Sequence, residues 1–187
     1  VNPVLNELSQ TSQDDLISRD CAIAMLNLTR MHGKEGDLVE VGAPIALINV
    51  MNMHQHLDGI CARAPFNLTC VDEPYQKIEH VTNSFLNLAE SGTASFEVKH
   101  ICASALCNLS DLKSMRLRLV QDGVVKVLGQ LVRGAEAKTR RVCAIILQSL
   151  ASTKSCRQEM VNKNAVQVLY SLSSDNDANT LHYVASA

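Results

Sequence analysis

Thiols are the side chains here with the widest chemical range, and the sequence has seven of them: Cys21, Cys61, Cys70, Cys102, Cys107, Cys143 and Cys156. Disulfides, a metal centre or a nucleophile are the chemistries to test. The count is odd, no Cys-x-x-Cys pair occurs, and no short framework spacing connects them, which speaks against a disulfide scaffold and against zinc. Four of them instead fall 40, 41 and 41 residues apart, at Cys21, Cys61, Cys102 and Cys143. One more period lands on Val184. A fixed spacing of this length points to an internal repeat.

The neighbours of these cysteines repeat as well. The copies read Cys-Ala-Ile-Ala-Met-Leu-Asn-Leu-Thr (21–29), Cys-Ala-Arg-Ala-Pro-Phe-Asn-Leu-Thr (61–69), Cys-Ala-Ser-Ala-Leu-Cys-Asn-Leu-Ser (102–110) and Cys-Ala-Ile-Ile-Leu-Gln-Ser-Leu-Ala (143–151), with Val-Ala-Ser-Ala at 184–187. Asparagine recurs six residues after the cysteine, at Asn27, Asn67 and Asn108, and Ser149 takes the fourth place. A second register accompanies the first: Val-Gly-Ala-Pro-Ile-Ala-Leu (41–47), Asp-Gly-Val-Val-Lys-Val-Leu (122–128) and Lys-Asn-Ala-Val-Gln-Val-Leu (163–169). The copy between them, Val-Thr-Asn-Ser-Phe-Leu-Asn (81–87), has Thr82 where glycine is expected. Glycine or asparagine ahead of an apolar three–four pattern suits a left-handed residue joining two helices. Each unit therefore reads as a short first helix, a tight turn, a second helix, a loop and a longer third helix carrying the Cys-Ala segment.

This pattern resembles the armadillo repeat, through its three-helix period, its Gly-Ala turn and its Cys-Ala-x-Ala-Leu-x-Asn-Leu-Ser ending, over essentially the whole chain. HEAT repeats share the architecture, but the recurrent Asn-Leu-Thr/Ser favours armadillo. The resemblance implies an all-α fold, a right-handed α-solenoid (superhelix) of three-helix repeats. The units are expected at 1–33 (partial, opening in a second helix from Pro3 to Leu8), 34–70, 71–111, 112–152 and 153–187 (partial). Neither end reads as a polar capping repeat, so the chain is expected to be one armadillo domain fragment from a longer array. Along each third helix, Cys, Ala, Leu and Leu (Cys102, Ala103, Leu106 and Leu109, for example) share the stripe that packs on neighbours, so the cysteines are expected to be small core residues.

The same resemblance implies that third helices line a concave groove and that their asparagines hold an extended peptide. Asn27, Asn67 and Asn108, with Ser149, are the matching positions. An amide offers a donor and an acceptor and so can pair with a peptide unit. The competing expectation is that these amides bond only to adjacent helices. Positions four and eight residues earlier share the face: Ile23 and Arg19, Arg63 and Gly59, Ser104 and His100, Ile145 and Arg141, Ser186 and His182. The nuclear-import adaptor branch has tryptophans at the first of these positions, and this sequence has none. Arg19, Arg63 and Arg141, with His100 and His182, instead resemble the basic groove of the catenin branch, which takes acidic segments. Arginine suits that role because it can form paired bonds to a carboxylate.

Charge is uneven along the chain. The first 99 residues have a net −7 and the remainder a net +5, within an overall −2. The basic excess gathers at Lys113, Arg116, Arg118, Lys126, Arg133, Lys138, Arg140 and Arg141, either as a steering field for an acidic partner or as an ordinary solvated surface. The near-neutral balance and the 3% aromatic content exclude a polybasic or stacking nucleic-acid binder. No stretch has the roughly 20 apolar residues of a membrane span. The Asn-x-Ser/Thr triplets at 27, 67 and 108 match the glycosylation pattern but recur on packed helices, so they read as a by-product of the repeat. Reduced thiols fit a cytoplasmic or nuclear setting.

Enzyme motifs are missing: there is no phosphate-cradling glycine loop, HExxH or GxSxG, and His32, His54, His56 and His80 have no carboxylate or cysteine at ligand spacing. No cofactor and no metal are expected. Pro65, inside a third helix, is expected to kink or break it, and stacking is expected to be irregular between about 60 and 85, where Asp72-Glu73-Pro74 also falls. The sequence thus points to a non-catalytic scaffold holding an extended, acidic peptide. The alternatives are a structural part of a cytoskeletal, ciliary or vesicle-tethering assembly that works through its convex face or ends, and a karyopherin-like transport adaptor.

Overall fold

The computed structural model describes residues 15–31, 37–38, 41–43, 46–47, 49–50, 54, 57–69, 78–92 and 94–187. All regular structure among them is helical: α1 (Asp15–Leu28), α2 (Asp58–Leu68), α3 (Ile78–Glu90), α4 (Phe96–Asp111), α5 (Arg116–Gln121), α6 (Val124–Val132), α7 (Ala137–Ala151), α8 (Lys154–Asn162), α9 (Ala165–Ser173) and α10 (Ala178–Ser186). The chain divides into two compact units, Val1–Ser84 and Phe85–Ala187, the division falling inside α3. The expected helix at Pro3–Leu8, Asp72-Glu73-Pro74, Cys70, His32 and His56 lie outside the described residues.

In the C-terminal unit the three-helix period is seen twice in succession, as α5–α6–α7 and α8–α9–α10. Helices one period apart pack on each other: α5 on α8, α6 on α9, α4 on α7 and α7 on α10. The turn between first and second helix is made by Gly123 at φ 100° and by Asn164 at φ 65°, each directly ahead of the second helix. Gly42, one period before Thr82 in the N-terminal unit, is also left-handed, at φ 80°. These are the positions the second sequence register singles out, and glycine and asparagine are the residues that enter this region at low cost. At the fourth such position, Thr82 is buried within α3, which runs unbroken from Ile78 to Glu90.

The third helices bury the predicted stripe. Cys21, Ala22 and Met25 of α1, Cys61, Ala62 and Leu68 of α2, Cys102, Ala103, Leu106 and Leu109 of α4, and Cys143, Ala144, Leu147 and Leu150 of α7 are all core residues. Each enclosed leucine contributes about 1.5–3 kcal/mol of apolar burial, and the small Cys-Ala pair lets neighbouring helices approach. In the N-terminal unit α1 packs on α2. The expected break at Pro65 does not occur: α2 continues through it to Leu68. Proline's fixed φ is itself helical, the loss is confined to one backbone bond near the end of the helix, and burial of Cys61, Ala62, Ala64 and Leu68 on one side holds the last turn in place.

The hydroxyl of the Asn-Leu-Thr/Ser triplet closes the third helix. Thr29 Oγ1 donates to the Leu26 carbonyl at 2.8 Å, Thr69 Oγ1 to Phe66 at 2.7 Å and Ser110 Oγ to Cys107 at 2.7 Å. All three hydroxyl residues are buried, which gives the triplet a structural reason independent of glycosylation. In the fourth copy Ala151 stands at this place and Ser152 Oγ bonds the Ser149 carbonyl instead, at 2.7 Å. Arginine adds a second closure: Arg116 Nε donates to the Ser110 carbonyl at 2.6 Å and Arg157 Nε to Ala151 at 2.8 Å. Both arginines lie six residues beyond the carbonyl they cap, and they lie 41 residues apart.

Candidate functional site

A third helix that buries its Cys-Ala-Leu stripe must turn another face outward, and the residues of the Asn register lie on it. Arg19, Asn27, Arg63, His182 and Ser186 are exposed, and Ile23, Gly59, Asn67, His100, Ser104, Asn108, Arg141, Ile145 and Ser149 are half-buried. None of these residues is enclosed in the core. In the N-terminal unit α1 and α2 carry Arg19, Asn27, Arg63 and Asn67. In the C-terminal unit α4, α7 and α10 carry His100, Ser104 and Asn108, then Arg141 and Ser149, then His182.

Some of these groups are already engaged by neighbouring helices. Asn67 Nδ2 donates to Thr29 Oγ1 at 3.0 Å, tying α2 to the end of α1. One N–H and the amide oxygen of Asn67 have no other partner among the described residues. Asn27 Oδ1 accepts from Arg30 at 3.5 Å. In the C-terminal unit His100 Nδ1 lies 3.1 Å from Thr139 Oγ1, bridging α4 and α7, and Ser104 Oγ donates to the His100 carbonyl at 2.9 Å. Gln148 Nε2 donates to Ser186 Oγ at 2.8 Å, bridging α7 and α10. The face is thus a set of helices cross-linked by polar side chains, rigid where a ligand would lie.

The basic residues divide more sharply than their sequence clustering implies. Arg141 grips Asp177 through two bonds, Nε to Oδ2 at 2.9 Å and Nη2 to Oδ1 at 2.8 Å. That contact, with Thr180 donating to the same carboxylate, holds Asp177 well below the usual carboxylate range. Asp177 is also the N-cap of α10, accepting from the Thr180 N–H at 3.0 Å. Arg140 pairs with Asp175 at 2.6 Å and donates to the Val132 and Ser171 carbonyls. Arg118 pairs with Asp122, Lys126 with Glu90 and Lys138 with Glu136. Arg116 reaches the Ser152 and Thr153 hydroxyls besides its carbonyl. Of the basic cluster, Lys113 and Arg133 alone have no such partner among the described residues. The local excess is largely compensated within the fold.

His100 has its pKa lowered, first by desolvation and then by Lys138, so its ring is neutral at pH 7. Its place on the face is polar rather than cationic. His182 stands exposed with its ring edge-on to Tyr183, centroids 5.7 Å apart. The cysteines offer no reactive site: burial pushes the Cys143 thiol up to about 12 and the half-buried Cys107 to about 11, and it raises Cys21 and Cys156 also. Thiolate, the reactive form, is therefore scarce at neutral pH.

Among the described residues no group of three or more His, Cys, Asp or Glu side chains could hold a metal ion, and no helix is long and apolar enough to cross a membrane. A hollow of about 120 Å³ opens beside Ser91, Phe96, Lys99, Gln130 and Thr139 in the C-terminal unit. That is well short of the roughly 300–1,000 Å³ of sites that enclose a small-molecule ligand.

Sequence reasoning placed the face and missed its internal partners. Asp177, Asp175 and Thr139 are not repeated features, and nothing local marks them as partners for Arg141, Arg140 and His100. Arg116 and Arg157 were findable, since a side chain recurring at the period is more simply explained by stacking than by a ligand.

No protein-family model and no curated protein matches the sequence. Solved structures do match. One of computationally designed armadillo repeat proteins for modular peptide recognition superposes with a TM-score of 0.82 at 15% identity, covering 99% of this chain and 79% of that one. A designed armadillo repeat protein in complex with the peptide (KR)4 gives 0.80 at 15% identity, covering 100% and 80%. An engineered protein gives 0.76 at 21% identity, covering 99% and 76%. The fold is accordingly all-α and armadillo-like, an α-solenoid of stacked repeats.

Proposed function

We propose that this chain is a non-catalytic scaffold that binds an extended, acidic peptide segment along the outward faces of its third helices. The observation that carries the reading is the exposure pattern. In repeat after repeat the Asn register and the positions four and eight residues before it stay accessible, while the opposite stripe is buried. In the C-terminal unit this sets Asn108 and Ser149 on packed neighbouring helices, with hydroxyl, imidazole and guanidinium groups beside them. Amides and hydroxyls at a regular interval suit a ligand whose own donors and acceptors recur, and an extended backbone is such a ligand. Each bond of this kind is worth about 0.5–1.5 kcal/mol net. Holding these groups on cross-linked helices lowers the ordering cost of binding on the protein side.

Peptide recognition by designed proteins of the same fold supports this use of the face. The (KR)4 complex also sharpens the expected difference. A lysine-arginine peptide would meet Arg19 and Arg63 in one unit and the exposed edge of Arg141 with His182 in the other. Like charges facing each other select against it, whereas carboxylates are favoured. Arg141 acts here as an oriented cation, already bonded to Asp177 and offering a ligand its remaining donor capacity.

The test is selection from paired acidic and basic peptide libraries at low and moderate salt. Acidic sequences should be enriched, with affinity falling as salt rises. Enrichment of basic sequences would overturn the charge assignment. Enrichment of neither would remove the third-helix face as the working surface.

A further inference from the structure

The C-terminal unit holds an internal stacking interface, in which α8 and α9 cover α5 and α6. Under that cover Val120 and Val125 are 0% exposed, and Leu128 and Ala144 are equally enclosed. Moving one 41-residue period along the chain reaches the same positions on the next layer. There Val161 is 56% exposed and Val166 61%, Leu169 is half-buried and Ala185 exposed. The side chains remain apolar at these positions although nothing among the described residues covers them. By contrast, positions of α8 and α9 that face back onto the previous layer, Cys156, Met160, Ala165, Val168 and Leu172, are buried. One side of this layer thus makes an interface and the other carries the same interface uncovered.

We propose that the outer side of α8 and α9 is a docking surface for one further helical layer of this repeat type, a helix pair presenting small and branched apolar side chains as α8 and α9 themselves do. Continuity with the internal interface identifies the occupant, because the surface copies in register one that just such a pair covers. Charge does not contribute, since α9 (AVQVLYSLS) has no ionisable side chain apart from its tyrosine. One position departs from the template and sets a condition on the partner. Gly129 lies in the internal interface, where an added Cβ would stand 3.3 Å from Val168 Cγ2. Its counterpart one period later is Tyr170, 73% exposed. A covering helix needs a small residue where Val168 sits in the internal layer, so that the tyrosine ring can lie against it.

The experiment extends the chain in register. Residue 187 corresponds to residue 146, so a copy of residues 147–187 is appended, with alanine in place of the copied Val168. Thermal unfolding of parent and extended chains is compared, each with and without Val166→Glu in the original layer. The extension should raise Tm by roughly 5–10 °C, as expected for enclosing several apolar side chains. Val166→Glu should abolish that rise while shifting the parent by no more than about 2 °C, because the residue is exposed there. No rise, or a rise insensitive to Val166→Glu, overturns the proposal. Sedimentation of the parent separates the remaining occupant: a dimer dispersed by Val166→Glu would assign the surface to a second copy instead and equally overturn it.

Discussion

Gly123 and Thr82 occupy the same place in the repeat and fold in opposite ways. At Gly123 the backbone turns left-handed and separates α5 from α6; at Thr82 a single helix, α3, passes straight through. Gly42 and Asn164 side with Gly123. The contrast shows that the boundary between first and second helix depends on one residue able to enter the left-handed region. A β-branched residue resists that region, so its helix continues and buries the side chain instead.

The strongest way to break the comparison is Gly123→Val. An added Cβ at Gly123 meets nothing within 4 Å, so the whole cost lies in the backbone at φ 100°. The substitution should cost about 2 kcal/mol in denaturant unfolding. A neutral result would show that the turn relaxes without its glycine. The converse change, Thr82→Gly, should destabilise by about 1 kcal/mol, because glycine in a helix interior loses more backbone freedom. A gain in stability there would mean that the sequence around 82 prefers the turn.

The two C-terminal copies also differ where their third helices begin. Glu136 gives α7 no side-chain cap, whereas Asp177 caps α10 and is held by Arg141. The folded pKa of Asp177 lies below its unfolded value near 3.9. Its stabilisation is therefore present at neutral pH and lost as pH falls below about 4. Asp177→Asn should give a shallower fall in Tm between pH 5 and 3, and an unchanged slope would remove the ion pair from the account. The smallest effect is expected at Asn164→Gly, within about 0.5 kcal/mol, since φ 65° already suits asparagine and glycine only removes residual strain.

Much of the fold was legible because it depends on local rules repeated several times. The Cys-Ala-Leu stripe, the left-handed turn and the outward Asn register each recur at 40 or 41 residues, and averaging over copies reveals them. The contacts that modify the site were not legible. Arg141 with Asp177, Arg140 with Asp175 and His100 with Thr139 join residues 35–39 apart across stacked helices, and each occurs once. A cluster of basic letters therefore read as a field when most of its members had partners. Pro65 was misjudged for a related reason: the local penalty was visible, but the burial of Cys61, Ala62 and Leu68 that outweighs it was set by neighbours.

The account rests on the outward third-helix face being the binding surface. The direct measurement is titration of a selected acidic peptide into the wild-type chain and into the Asn108→Ala, Ser149→Ala double variant, with Tm recorded for both. Losing one ligand bond at each site should weaken Kd by roughly 5- to 100-fold, with Tm nearly unchanged. An unchanged Kd, or a fall in Tm that accounts for the lost affinity, would return these residues to a purely structural role and contradict the assignment.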